Sequence, residues 1–366
     1  MRCKDLINIM DNLAPKYLIE EWDNCGFEIG SKEKDISNVL ITLDIRHEVV
    51  QYAIDNNIDM IISHHPLFFN SIKNISKDSI KGNMIYDIIN NDIVIFSAHT
   101  NLDNAYRGIN YVLGNLFNLK EPQVINPVYK EKLYKIVVFV PKTHSNHVRN
   151  AMSSEGAGHI GNYSHCTYNT EGIGTFMPRE GTNPYIGEKD KLEEVEEVKI
   201  ETIVEKDKLN KTIEAMIQSH PYEEVAYDVY KLENENIIHG TGRVGDIDSI
   251  SLRDLCEIVK DKLGCKSIRV YGDLERKVKR LAVSGGSGSG FIKSASSKEA
   301  DVYITSEIDY HDGQLAKDLG LAIIDANHYD TEKVVLNHVK EYLLAKTNNE
   351  LNVLVFDKNV DEFIVI

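Results

Sequence analysis

The sequence predicts an α/β fold interrupted by an α+β module, and three observations carry that prediction. Short apolar runs alternate with stretches of helical periodicity over residues 38–97, the rhythm of β-α-β units around a parallel sheet. The same rhythm returns after Gly245. From Pro127 to Glu233 it is replaced by two β-α-β patterns of similar length, the plan of a ferredoxin-like module of roughly a hundred residues. These changes divide the chain into a first α/β half (1–126), an inserted module (127–233) and a second α/β half (234–366).

At the amino end, Leu6, Ile9, Met10 and Leu13 recur at helical spacing, which makes an amphipathic helix rather than the apolar block of a signal peptide. EEWDNCGFEIG, residues 20–30, carries the only tryptophan. Such an acidic run reads as a solvated turn, while Glu21, Trp22, Asp23 and Asn24 can also rim a pocket. Strands follow at 38–43, 60–62 and 93–97, with helices at 48–55 and 82–90 between them. Met60, Ile61 and Ile62 form an unbroken apolar run, as in a strand buried on both faces. Pro66 cannot donate to a ladder and drives His65 towards an extended conformation, so this strand ends by splaying His64 and His65 into a cleft. After the next strand, Asp103 reads either as a ligand or as the cap of a helix over 104–117.

In the inserted module, strands are expected at 135–141, 195–205 and 225–232, and helices at 144–154 and 208–219. The glycine-rich stretch 156–187 reads as turns and irregular strands. His220, just before Pro221, suits a helix-terminus contact, with a ligand role beside Glu223 and Glu224 as the alternative. The second half then offers a helix at 251–263 and strands at 267–271, 280–283, 302–305, 321–325, 351–356 and 362–366. GGSGSG, residues 285–290, joins a strand to a helix but lacks Gly-Lys-Ser/Thr and has Phe291 where a dinucleotide fingerprint has its third glycine. It can cradle phosphate on backbone amides or serve only tight packing.

Of the 366 residues, 57 are acidic and 41 basic, a net charge of −16, so no general attraction to nucleic acid or anionic membranes is expected. No run approaches the length of about 18 apolar residues that a membrane span needs. Cys3, Cys25, Cys166, Cys256 and Cys265 are odd in number and form no C-x-x-C pair, which suits reduced thiols in a cytoplasmic protein and leaves none for metal.

Four strand exits deliver histidine or carboxylate: His64 with His65, His99 with Asp103, the run 306–312 with His311, and His328 with Glu332. A lone buried histidine is more often a hydrogen-bonded core residue, but an adjacent pair at a strand exit favours metal. Neighbouring side chains on extended backbone diverge, so each can serve one member of a metal pair about 3.5–4 Å apart. Histidine with carboxylate and no thiolate suits Zn²⁺, Fe²⁺ or Mn²⁺, and Glu332, four residues after His328, can bridge two ions. His99 and His311 are candidates for proton transfer, since unperturbed imidazole titrates near pH 6.5.

EEWDNCGFEIG, IISHHPLFF, SAHTNLD, GGSGSGFI, DVYITSEIDYHD and NHYDTE, in this order, resemble the Nif3-like family of dinuclear-metal proteins, whose members carry the name GTP cyclohydrolase 1 type 2 homologue. GHIGNYSHC, GIGTFMP and HPYEEVAYD resemble the long bacterial form, in which a PII-like or CutA-like domain interrupts the Nif3-like fold. The resemblance implies two divalent cations per subunit, with His64, His65, Asp103, His328 and Glu332 at the ligand positions. It also implies a homohexamer around a central cavity and a GTP-directed hydrolase, with a metal-binding regulatory protein or a phosphoesterase as alternatives. Two positions depart from the family pattern: Asn327 stands for a frequent glycine, and Ser306–Glu307 for a frequent Gly-Asp.

Overall fold

Cys3, Leu6, Ile7, Met10 and Leu13 are the buried residues of the first helix, α1 (Cys3–Leu13), so the helical apolar spacing becomes one face laid on the core. In this computed structural model residues 1–234 and 237–358 are described. They divide into two compact units, one formed by Met1–Tyr129 with the chain from Ile238 onward, the other by Lys130–Ile237.

The first unit begins with β1 (Gly26–Ile29), β2 (Asn38–Thr42), α2 (His47–Asp55), β3 (Met60–Ser63), α3 (Ile80–Asn90) and β4 (Val94–Ser97). Strands β2, β3 and β4 pair in parallel, and β1 lies antiparallel on the free edge of β4. All four residues of β3 are buried, as its apolar run requires. The segment after β4 corrects the sequence reading. Instead of one helix over 104–117 there are two, α4 (Thr100–Asn104) and α5 (Ile109–Leu116), and Asp103 lies inside α4 rather than capping a helix. Gly108 makes the sharp return between them, where a Cβ would come within 1.7 Å of the Leu102 carbonyl oxygen.

After β5 (Lys120–Lys130), the second unit runs β6 (Leu133–Pro141), α6 (Ser145–Ser154), β7 (Thr167–Phe176), β8 (Glu193–Glu205), α7 (Leu209–Ser219) and β9 (Tyr227–Lys231). Its sheet is antiparallel throughout, in the order β7-β8-β6-β9. This β-α-β-β-α-β connectivity is ferredoxin-like. Ile136, Val138, Val140 and Ile200 from the sheet and Val148, Met152 and Met216 from the helices form its core. Residues 167–176 are a regular ten-residue strand rather than an irregular one, because unbroken pairing with β8 overrides the local glycines.

The chain then returns to the first unit with β10 (Ile238–Ser251), α8 (Leu252–Leu263), β11 (Arg269–Tyr271), β12 (Lys277–Ser287), α9 (Ile292–Ser297), β13 (Val302–Ser306), α10 (Tyr310–Asp318), β14 (Ala322–Asp325), α11 (His328–Glu332), α12 (Val334–Lys346) and β15 (Asn352–Val355). β15 pairs in parallel with β2 and completes the five-stranded sheet β1-β4-β3-β2-β15. The others form a six-stranded sheet, β11-β14-β13-β12-β10-β5, with β12, β13 and β14 parallel. One core joins the two sheets, with Ile41, Met60 and Phe96 from the first, Val283, Ile304 and Ile324 from the second, and α1, α8 and α12 contributing. Three strands escaped the sequence reading, β1, β5 and β10. β5 is largely exposed and β10 is glycine-rich and polar, so neither shows an apolar pattern. The strand expected at 362–366 lies outside the described residues. No helix among the described residues is long and apolar enough to cross a membrane.

Candidate metal centre

In the first unit, the parallel strands of both sheets deliver their polar exits to one place, the carboxyl end where α/β sheets bind ligands. His64 and His65 leave β3, and Asp103 stands in α4 just beyond β4. From the other sheet, His328 and Glu332 open and close α11, one turn apart on one helix face. His64 Nε2 lies 3.7 Å from Asp103 Oδ1 and 3.6 Å from Glu332 Oε1. His65 Nε2 lies 3.1 Å from Glu332 Oε2, and His328 Nε2 3.0 Å from Glu332 Oε1. The Glu332 carboxylate is thus the hub of all three imidazoles.

The outward ring nitrogens are all engaged. His64 Nδ1 donates to the Ala98 carbonyl at 2.9 Å, His65 Nδ1 faces Asp44 Oδ1 at 2.9 Å, and His328 Nδ1 faces Glu307 Oε1 at 2.8 Å. This is how a metal-ligating histidine is oriented, with one nitrogen fixed by an outer acceptor and the other presented inward. His64 Nε2, His328 Nε2 and Glu332 Oε2 are buried and meet no hydrogen-bond partner of proper geometry. Buried polar atoms are rarely left so, and three converging ones form a set of donors that a metal ion satisfies.

The charges agree. Burial opposes ionisation of Glu332, yet His64 and His65 hold its carboxyl well below the usual range. Burial likewise opposes charge on His65, and Glu332 with Asp44 overcomes it, raising the imidazole to about 11. His328 is raised to about 9 against burial by Glu332 and Glu307. Asp103 is pushed up by burial, with His64 pulling the other way. The cluster therefore holds protons wherever a cation does not replace them.

His99 borders the cluster, its ring centroid 5.1 Å from that of His64 and 5.4 Å from that of His65. Its Nδ1 is 3.0 Å from Asp23 Oδ1, whose partner oxygen accepts from the Thr100 amide and hydroxyl. Those bonds outweigh burial and hold the Asp23 carboxyl far below its ordinary value. The stretch 20–30 turns at the exposed Glu21 and Trp22 and also borders the cluster: Asp23 buttresses His99, and Trp22 and Phe69, both more than half exposed, stand against the same ring with centroids 5.9 and 6.1 Å away. His311 does not join them. It is exposed on the first turn of α10, its Nδ1 3.2 Å from Gln314 Oε1. His220 makes helix-terminus contacts in the second unit, which removes its alternative as a ligand.

The glycine run packs rather than cradles. Gly285 and Gly286 extend β12, and their amides donate to Asn110 Oδ1 and Thr331 Oγ1. A Cβ on Gly286, at φ +62°, would come within 2.2 Å of Glu332 Oε1. Both family departures also fall at positive φ, Glu307 at +57° and Asn327 at +63°. Each has its own support: Glu307 reaches His328, and Asn327 donates to Ser267 O and Asp330 Oδ2, both at 3.1 Å. Sequence reasoning missed Asp44 and Glu307 as partners of the histidines. Asp44 follows β2 as His64 follows β3, so the same strand-exit rule finds it once β2 is followed to its end.

The chain is similar to known proteins over nearly its whole length. The family described as Duf34/NIF3 (NGG1p interacting factor 3) matches residues 1–362. A Bacillus subtilis protein named GTP cyclohydrolase 1 type 2 homolog is 41% identical over 364 residues, 98% of this chain and 97% of its own length. One of the same name from Halalkalibacterium halodurans is 43% identical over 339 residues, covering 92% and 91%. Among solved structures, a Bacillus cereus protein related to NIF3 superposes with a TM-score of 0.89 at 41% identity, covering 100% of this chain and 99% of its own. A Staphylococcus aureus protein gives 0.77 at 30% identity, with 100% and 99% covered.

Proposed function

Because the chain belongs to the Duf34/NIF3 family, we propose that it is a dinuclear metal-dependent hydrolase, with purine ring opening of GTP as its reaction. The observation that carries this reading is the trio of buried, unsatisfied atoms on His64, His328 and Glu332. We assign His64, Asp103 and Glu332 to one cation and His65, His328 and Glu332 to the other, with Glu332 shared. Zinc, iron or manganese suits these nitrogen and oxygen donors. Divalent cations bound here supply Lewis acidity and water whose pKa is lowered to about 7.

The remaining work falls to the chain's own side chains. Asp44, Glu307 and the Ala98 carbonyl fix the ring orientations of the three ligand histidines. We give His99 the proton transfer, because Asp23 holds its Nδ1 and leaves the other nitrogen free for chemistry. Trp22 and Phe69 offer flat apolar faces on which a purine can stack. The net charge of −16 gives a triphosphate no general attraction, so its phosphates depend on the cations. The names of the relatives support GTP as the first substrate to try. Five free thiols support a reducing, cytoplasmic setting. The family resemblance supports a homohexamer, which light scattering checks by a mass six times that of the chain.

Metal-loaded protein is expected to convert GTP to a formamidopyrimidine product, to lose that activity in His65→Ala, and to be slowed while still metal-loaded in His99→Ala. GTP should also quench the fluorescence of Trp22, the only tryptophan. Phosphate release without ring opening would make the protein a phosphoesterase. A fully loaded protein that turns over no nucleotide would overturn the hydrolase reading and leave a metal-binding regulatory protein.

A further inference from the structure

The second unit holds a cavity of about 750 Å³ between β7, β8 and the segment 177–186, within the range of roughly 300–1,000 Å³ usual for small-molecule sites. Phe139, Phe176, Tyr185 and Tyr222 bring aromatic rings to its wall. The Phe176 and Tyr222 rings meet edge to face with centroids 5.7 Å apart, and Tyr185 stands 6.4 Å from Tyr222. Ile173 and Met177 add aliphatic surface, and Ile173 and Tyr185 are more than half exposed.

The charges lining this cavity are unequal. Its two cations are already neutralised, Arg179 by Asp190 at 3.4 Å and Lys199 by Glu201 at 3.0 Å. Of its carboxylates, Glu171 is matched by Lys142 at 2.9 Å, and Glu223 accepts the Asn183 amide at 2.9 Å. Glu224 also lines the cavity, and like Glu223 it has no basic partner among the ion pairs of the described residues; Glu197 is the one tied to the aromatic wall. Its Oε1 accepts the Tyr222 hydroxyl at 3.0 Å, and among the described residues no Lys, Arg or His pairs with it. Burial first, then Glu197, pushes the Tyr222 hydroxyl pKa up, so the proton stays on tyrosine. Gly174 leaves that carboxylate its space, since a Cβ there would come within 2.1 Å of Glu197 Oε2.

A cavity with aromatic rings in its wall and carboxylates in excess of its cations, one of them, Glu197, held against those rings by the Tyr222 hydroxyl, has the composition that recognises a cation on an apolar body, through ring faces and a counter-ion together. We propose that this cavity is a binding site for a small organic cation, an amine or quaternary ammonium carried on an apolar group, with Glu197 as counter-ion and Phe176, Tyr185 and Tyr222 as its walls. The site lies wholly within the second unit and is independent of the metal centre.

Titration calorimetry of full-length protein with benzyltrimethylammonium, beside the size-matched anion benzenesulfonate and the neutral benzyl alcohol, tests this. One cation per chain is expected, with the anion excluded and the alcohol weaker. Glu197→Gln should weaken the cation about tenfold, the scale of one desolvated charge contact. Tyr185→Leu, at an exposed position that does not endanger folding, should weaken it several-fold. His65→Ala should leave it unchanged. Binding that favours the anion, persists undiminished in both Glu197→Gln and Tyr185→Leu, or disappears in His65→Ala overturns the proposal, as does the absence of any heat at millimolar cation.

Discussion

His220 lies at the carboxyl end of α7 in the inserted unit, its Nε2 donating to the Phe139 carbonyl at 3.0 Å and its Nδ1 accepting the Tyr222 amide at 3.1 Å. His64 lies at the carboxyl end of β3 in the other unit. Its Nδ1 donates to the Ala98 carbonyl at 2.9 Å, while its Nε2 finds only Asp103 and Glu332 at 3.7 and 3.6 Å, too far for hydrogen bonds. Both rings are buried at the end of a secondary-structure element. What separates a structural histidine from a ligand is therefore neither burial nor place in the fold. A structural ring spends both nitrogens inside the protein, whereas a ligand fixes one and presents the other to a shared acceptor.

The most direct way to break this contrast is to remove the hub. The double variant His64→Ala, Glu332→Ala is expected to lose all stoichiometric metal, because both assigned ion sites lose a donor and the shared carboxylate goes with them. Elemental analysis of the purified protein reads the result, and metal content equal to wild type would sink the assignment. His220→Gln in the same assay should keep its full complement.

A second test moves the hub without deleting it. In Gly286→Ala the new Cβ would stand 2.2 Å from Glu332 Oε1 on backbone at φ +62°, so the carboxylate must shift and the strand must strain. A loss of about 1–3 kcal/mol of stability is expected, the usual cost of a side chain at a strained position, together with weakened metal binding. Gly290→Ala, where a Cβ meets nothing within 4 Å, should be silent by both denaturant titration and metal analysis.

The outer partners sharpen the contrast further. Asp44→Ala or Glu307→Ala frees the Nδ1 of His65 or His328 while leaving every inward donor in place. Losses of this kind typically cost 10–100-fold in metal affinity. Competition with a chromophoric chelator would show it, and an affinity unchanged in both variants would mean that the rings are oriented by packing alone.

Much of this was legible in the sequence, and its limits have physical causes. The ligand candidates stood out because β3 and β14 are continuous apolar runs whose ends are marked by polar residues at 64, 325, 327 and 328. β5 and β10 stayed hidden because their stability comes from partners distant in sequence rather than from local apolar alternation. The glycine run invited a phosphate reading because glycine is written the same way whether it frees an amide or makes room for a carboxylate. Only the neighbours of Gly286 decide, and its amide is already spent on Thr331. Asp103 shows the reverse case: its helix was misjudged, yet either helix leaves it beyond the end of β4 and beside His64.

The smallest expected effect returns to His220. Burial lowers its pKa below the ordinary imidazole value of about 6.5, with nearby His144 adding to the shift and the Phe139 carbonyl partly opposing it. Protonation would also turn Nδ1 from acceptor into donor and set it against the Tyr222 amide that now donates to it. Since the folded pKa is the lower one, the unfolded chain takes up the proton first as pH falls. The stability that neutral His220 contributes is therefore complete above about pH 7 and declines as pH drops through 6.5 towards the folded value. Amide exchange in α7 and β6 of full-length protein, followed between about pH 7.5 and 5.5 and corrected for intrinsic rates, should report a decline in protection as pH falls. In His220→Gln, which keeps a donor for the Phe139 carbonyl but cannot titrate, that decline should flatten. A slope as steep in the variant as in wild type would place the proton on another group and remove His220 as the example of a histidine with no nitrogen to spare.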